Sequence, residues 1–136
     1  KWDIGKQLPK VEEIGWKRLS HPPQGSWVDY ENCDMKFIDL RENIKFLKYG
    51  YGRATDQLNI AIRNRRISRE DALAIVRNID GDFSSENRRE FCDYINITED
   101  YFWETIDSWR SPHLWGKDQH GEWRLRHNVA GTGLAD

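Results

Sequence analysis

Gly50 and Gly52, one residue apart between two amphipathic runs, constrain this chain more than any other feature. Before them, Phe37, Leu40, Ile44 and Leu47 recur at spacings of three and four, one stripe of an α-helix. After them, Ala54, Leu58, Ala61 and Ile62 form the stripe of a second helix, from about Arg53 to Asn64. A glycine inside a helix costs about 1 kcal/mol relative to alanine, yet it suits the left-handed residue that closes one. The chain therefore turns here, with two helices leaving the turn. A connector needs the glycines. It does not need the polar step Arg53-Ala54-Thr55-Asp56 that follows them.

The same reasoning predicts the other elements. Asp34 is placed to cap the first of these helices. A third begins at Ser68, with Asp71 as its capping-box partner, buries Ala72, Ile75, Val76 and Ile79, and ends at Gly81. A fourth runs from Glu86 to Ile95. Thr98 caps a fifth, with Phe102, Ile106 and Trp109 along one face and Pro112 closing it. That role also explains the "NIT" string at Asn96 to Thr98 better than glycosylation does. "HLWGKDQHGEWRLRH" then holds two short apolar runs separated by turn residues, a β-hairpin pattern. The fold expected is mainly α, about five helices with a short terminal β-hairpin over residues 34–127. Residues 1–33 read as an irregular linker, with a short helix in "LPKVEEIGW" and a loop in "SHPPQGSW"; residues 128–136 read as a flexible tail.

Composition narrows the function. A net charge of -2 gives no basic footprint for nucleic acid. The arginines of "RNRRISRE" stand among Glu70, Asp71 and Asp80, so a recognition helix is disfavoured against a solvated, ion-paired face. Seven Trp in 136 residues require a core or an interface to cover them. Cys33 and Cys92 lie far apart and outside any CxxC pattern, which argues against a disulfide framework or structural zinc and suits a reducing cytoplasm. His113, His120 and His127 lack an acidic partner at a metal-ligand spacing, so no metal site is expected. No run reaches the length of a membrane span.

The corner at Gly50 to Asp56 is the candidate site. The helix after it offers free N–H groups to an anion, Arg53 can grip a phosphate or carboxylate, and Thr55 and Asp56 can hold a hydroxyl or an amide. On physics alone an ordinary helix-turn-helix corner is the commoner explanation.

"KYGYGRATDQLNIAIRNRRISREDALAIVRNIDGDF" and "ITEDYFWETIDSWRSPHLWGKDQHGEWRLRH" resemble the C-terminal part of bacterial N-acetyl sugar amidotransferases, ATP pyrophosphatases of the PP-loop type. The likeness spans about Asp34 to His127, and "PKVEEIGW" also fits. It implies conversion of an acetamido group on a nucleotide-linked sugar to an acetamidino group in surface polysaccharide (LPS O-antigen) biosynthesis. It implies Mg-bound ATP as cofactor, a cytoplasmic location, and a glutaminase and an ammonia-channel subunit as partners. The family's Ser-Gly-Gly-x-Asp-Ser nucleotide loop is not in these residues. The chain is therefore expected to be the C-terminal part, inactive and cofactor-free without its nucleotide-binding domain. Lys48, Arg53, Thr55, Asp56 and, more weakly, Arg63 are expected to line the substrate side of the cleft; no catalytic residue is assigned. The alternative is a non-catalytic module that docks the glutaminase partner or forms a homodimer.

Overall fold

A computed structural model describes residues 4–127. Six helices and a two-stranded antiparallel hairpin make up the described residues: α1 (Ile4–Glu13), α2 (Ile38–Tyr49), α3 (Arg53–Arg63), α4 (Arg69–Ile79), α5 (Ser85–Ile95), α6 (Glu99–Asp107), β1 (Trp115–Lys117) and β2 (Trp123–Leu125). The mainly α architecture with a terminal hairpin is the one the sequence predicts. The expected tail, 128–136, lies outside the described residues, as does Trp2.

Three helix starts follow their side chains. Ser68, Ser84 and Thr98 each accept a hydrogen bond from the backbone N–H three residues on, at Asp71, Asn87 and Tyr101. The Ser68–Asp71 pair differs from a full capping box, because the Asp71 carboxylate accepts a hydrogen bond from the Ser68 hydroxyl rather than from the Ser68 N–H.

Two expectations fail. Asp34 does not cap α2, which begins at Ile38 after Phe37 with no side-chain cap. The chain from Asn32 instead turns back on itself: Asn32 is left-handed at φ 52 and its carbonyl accepts the Met35 N–H. Trp109 does not extend the buried stripe of α6. That helix ends at Asp107, short of Pro112, and Trp109 is 47% exposed. Among the described residues the buried tryptophan is Trp115, which Arg110 covers from 4.5 Å.

The interior has two parts. Ala54 and Leu58 of α3 pack with Ala72 and Val76 of α4, and Trp27 covers them from the preceding loop. Leu40 and Leu47 of α2, Cys92 of α5, Phe102 and Ile106 of α6, and Trp115 and Leu125 of the hairpin form the larger part. Edge-to-face aromatic pairs run through it, Phe37–Phe91–Phe102–Trp103. The strands register Trp115 opposite Leu125, placing both inward. Trp115 also donates its indole N–H to the Leu47 carbonyl at 2.7 Å, joining the hairpin to the end of α2.

Trp115→Phe keeps most of the ring but leaves the Leu47 carbonyl without that donor. The expected cost is about 1–2 kcal/mol, read as a lower urea midpoint with an unchanged slope. A variant as stable as the parent would show that the bond contributes nothing.

Candidate functional site

The corner that opens α3 is built as the glycines require. Gly50 closes α2 in the left-handed conformation, φ 78, and donates its N–H to the Phe46 carbonyl at 2.8 Å. Gly52 is needed for space: a Cβ there would stand 2.6 Å from Asp80 Oδ1 and 2.9 Å from the Gly81 nitrogen.

Asp80, at the end of α4, occupies the anion position at the N-terminus of α3. Its carboxylate accepts the Gly52 N–H at 2.8 Å, the Thr55 N–H at 3.2 Å and the Thr55 hydroxyl at 2.7 Å. The Gly52 and Thr55 N–H groups and the helix dipole thus meet the protein's own carboxylate, while the Ala54 N–H donates to the Gly25 carbonyl at 3.1 Å. Burial and the neighbouring Asp80 charge push the Asp82 carboxyl above its ordinary range.

The other expected residues diverge from this corner. Arg53 turns toward the loop before α2 and pairs with Glu31, which also accepts from the Gln57 amide at 2.9 Å. Asp56 pairs with Lys45 of α2, whose ammonium also lies over the Tyr51 ring. Lys48 is exposed beside Tyr49, and Arg63 is exposed in the last turn of α3. The five candidates therefore do not form one cluster.

Gln57 organises the segment 26–31. Its amide oxygen accepts the Trp27 N–H at 2.7 Å, and its Nε2 also donates to Ser26 at 2.9 Å. This holds the loop over α3 and brings Glu31 to Arg53. Below it lies a small pocket lined by Ser26, Glu31, Asn32, Glu42 and Arg53, among others. Glu42 Oε2 and Arg53 Nε are buried there with no hydrogen-bond partner among the described residues. Lys45 approaches that Glu42 oxygen only to 3.6 Å, an ion pair beyond hydrogen-bond range.

The small pocket adjoins a larger cleft of about 780 Å³, the two sharing Pro23, Gln24, Asn32, Ile38 and Asp39. Leu19 to Gln24 form one wall, Asn32 to Lys36 the other, and Ser84 and Asn87 the start of α5. Asp39, 3% exposed, fixes this arrangement by accepting the Ser84 N–H at 2.7 Å and the Asn87 amide at 2.9 Å. The size suits a small organic ligand. Of the expected site residues, only Arg53 lies near it, in the adjoining pocket. Sequence reading missed the rest because the walls come from separated segments. "SHPPQGSW" signalled a loop, but nothing in it signalled what that loop faces.

Cys33 lines the cleft and is exposed. Cys92 is buried between α5 and the core, and burial pushes its thiol up. Among the described residues, no group of His, Cys, Asp and Glu is arranged to hold a metal ion, and no helix is long and apolar enough to cross a membrane.

Residues 24–129 match a protein-family model described as "LPS biosynthesis protein WbpG-like, C-terminal domain". Comparison with curated proteins finds no match.

Two outcomes check this geometry. Asp80→Ala unpairs two backbone donors and a hydroxyl, and should lower stability by about 1–3 kcal/mol, with Asp80→Asn losing less; an Ala variant that melts with the parent contradicts the cap. Brief alkylation of the native chain should modify Cys33 alone, and both thiols in denaturant; equal labelling of Cys92 in the native chain would contradict its burial.

Proposed function

The chain belongs to the family of WbpG-like C-terminal domains of LPS biosynthesis proteins, and from that premise we propose that it is the substrate-side domain of an ATP-dependent N-acetyl sugar amidotransferase. The observation that carries this reading is the family match together with a ligand-sized cleft that its residues enclose. The strings quoted above, from Lys48 to Phe83 and from Ile97 to His127, support the finer assignment by their resemblance to that enzyme class.

The reaction proposed replaces the oxygen of an acetamido group with nitrogen. The amide oxygen attacks the α-phosphorus of ATP, pyrophosphate leaves, and the amide becomes an adenylated imidate. Ammonia adds to the imidate carbon, and AMP departs with the former amide oxygen. Amide, ATP and ammonia thus give amidine, AMP and pyrophosphate. Adenylylation turns a poor leaving group into a good one, and the intermediate must be kept from water. Mg-bound ATP is assigned to a separate nucleotide-binding domain of the same enzyme. This chain's part is to hold the sugar nucleotide while that domain acts on it. A glutaminase and a channel subunit supply the ammonia, in the cytoplasm.

A second reading is favoured by one observation. Tyr94, Tyr101 and Trp109 expose 81%, 58% and 47% of their surfaces on α5, on α6 and in the turn after it. Aromatic residues so exposed suit a docking or dimerisation surface.

The assay joins the chain to its ATP-binding domain and supplies ATP, magnesium, ammonia and a UDP-linked N-acetyl sugar. The expected products are pyrophosphate and a sugar nucleotide with NH in place of the amide oxygen, by mass spectrometry. Absence of both with every N-acetylated sugar nucleotide tried would leave only the docking reading.

A further inference from the structure

We propose that the cleft between residues 19–24 and 32–36 takes the uncharged, hydroxyl- and amide-bearing ring of a sugar, and excludes the phosphates attached to it. The inference rests on the sugar-modifying function proposed above and assigns it a place and a polarity.

Charge supports the exclusion. Asp39 is a buried carboxylate in the cleft, and Asp34 lies on its wall. The one lysine of the lining, Lys36, pairs with Glu90 outside it. A phosphate entering the cleft would therefore meet the carboxylates of Asp39 and Asp34, with Lys36 already paired and His21 the other basic side chain of the lining. Arg53 sits in the adjoining pocket, but Glu31 already holds its guanidinium.

Hydrogen-bonding capacity supports the ligand class. The side chains of Ser20, Gln24 and Asn32 line the cleft and make no hydrogen bond to other described residues. The Asn87 amide nitrogen is committed to Asp39 and to the Lys36 carbonyl, 3.4 Å away, which leaves its oxygen to accept. Hydroxyls and amides both donate and accept, as these side chains do. Pro22, Pro23, Met35 and Ile38 supply the apolar part of the lining, against which the C–H face of a pyranose can pack. A ring with an N-acetyl group matches this mixture. A nucleotide's diphosphate does not.

Cys33 reports occupancy directly, and buried Cys92 serves as the internal control. The chain is alkylated with iodoacetamide in the presence of N-acetylglucosamine, N-acetylgalactosamine, their UDP conjugates, UDP alone or inorganic pyrophosphate. The free sugars at high millimolar concentration and the UDP conjugates should slow Cys33 modification several-fold. UDP and pyrophosphate should leave it unchanged. Ser20→Trp, at an exposed wall position, should abolish protection without lowering the melting temperature. Asn32→Gly should weaken it; glycine accepts the φ of 52 there, so only the side chain is lost. Protection by UDP or pyrophosphate equal to that by the conjugates would overturn the proposal. So would no protection by any sugar at its solubility limit. If amidination proceeds in the joined enzyme while Cys33 is never protected, the cleft assignment fails and the function stands. If Cys33 is protected by sugars but no amidine forms, the amidotransferase reading fails and the sugar site stands.

Discussion

The carboxylate of Asp80 is the contact on which the arrangement of this domain turns. It closes the start of α3 from the end of α4, so the two helices of the smaller core part cannot slide past one another without unpairing Gly52 and Thr55. The residues after it extend the same junction. The Gly81 carbonyl accepts the amide of Asn43 on α2, and the Ser84 N–H goes to Asp39. One short turn thereby positions α2, α3 and α5 together. Because Asp39 and Ser84 both line the cleft, the shape of the cleft is set by this turn as well. The ordering of separate segments is entropically costly, and shared polar junctions of this kind offset it locally.

The helices were legible because their signals are local. Ser68 and Thr98 sit where a cap must sit, and the spacing of Phe102 and Ile106 places both inside. Trp109 misled because it continues the period beyond the residue where the helix ends. At the corner, the sequence correctly indicated an N-terminus that wants an anion. It did not indicate the anion, since Asp80 lies 28 residues from Gly52. Arg53, Thr55 and Asp56 share one helix turn in sequence but face Glu31, Asp80 and Lys45 in space. The cleft was not legible at all, because Ser20, Asn32 and Asn87 are brought together only by tertiary packing.

A division of labour follows from the charges. Three cationic side chains of this region pair internally: Lys36 with Glu90, Arg53 with Glu31, and Lys45 with Asp56 and Glu42. In the proposed enzyme, the phosphates of both substrates would be held by the nucleotide-binding domain, leaving this domain to recognise the sugar. Glu42 Oε2 and Arg53 Nε are the exception, buried polar atoms without hydrogen bonds beneath the cleft. Groups of that kind are costly to bury, as is Asn43 Oδ1, which is also buried without a partner among the described residues.

The most direct measurement is a backbone amide NMR titration of the chain with a UDP-linked N-acetylhexosamine. The account predicts shifts at Ser20, Asn32, Ser84 and Asn87, with the Asp80-bound amides of Gly52 and Thr55 unmoved. Shifts at Gly52 and Thr55 with the cleft amides unmoved would place the ligand at the corner and contradict it.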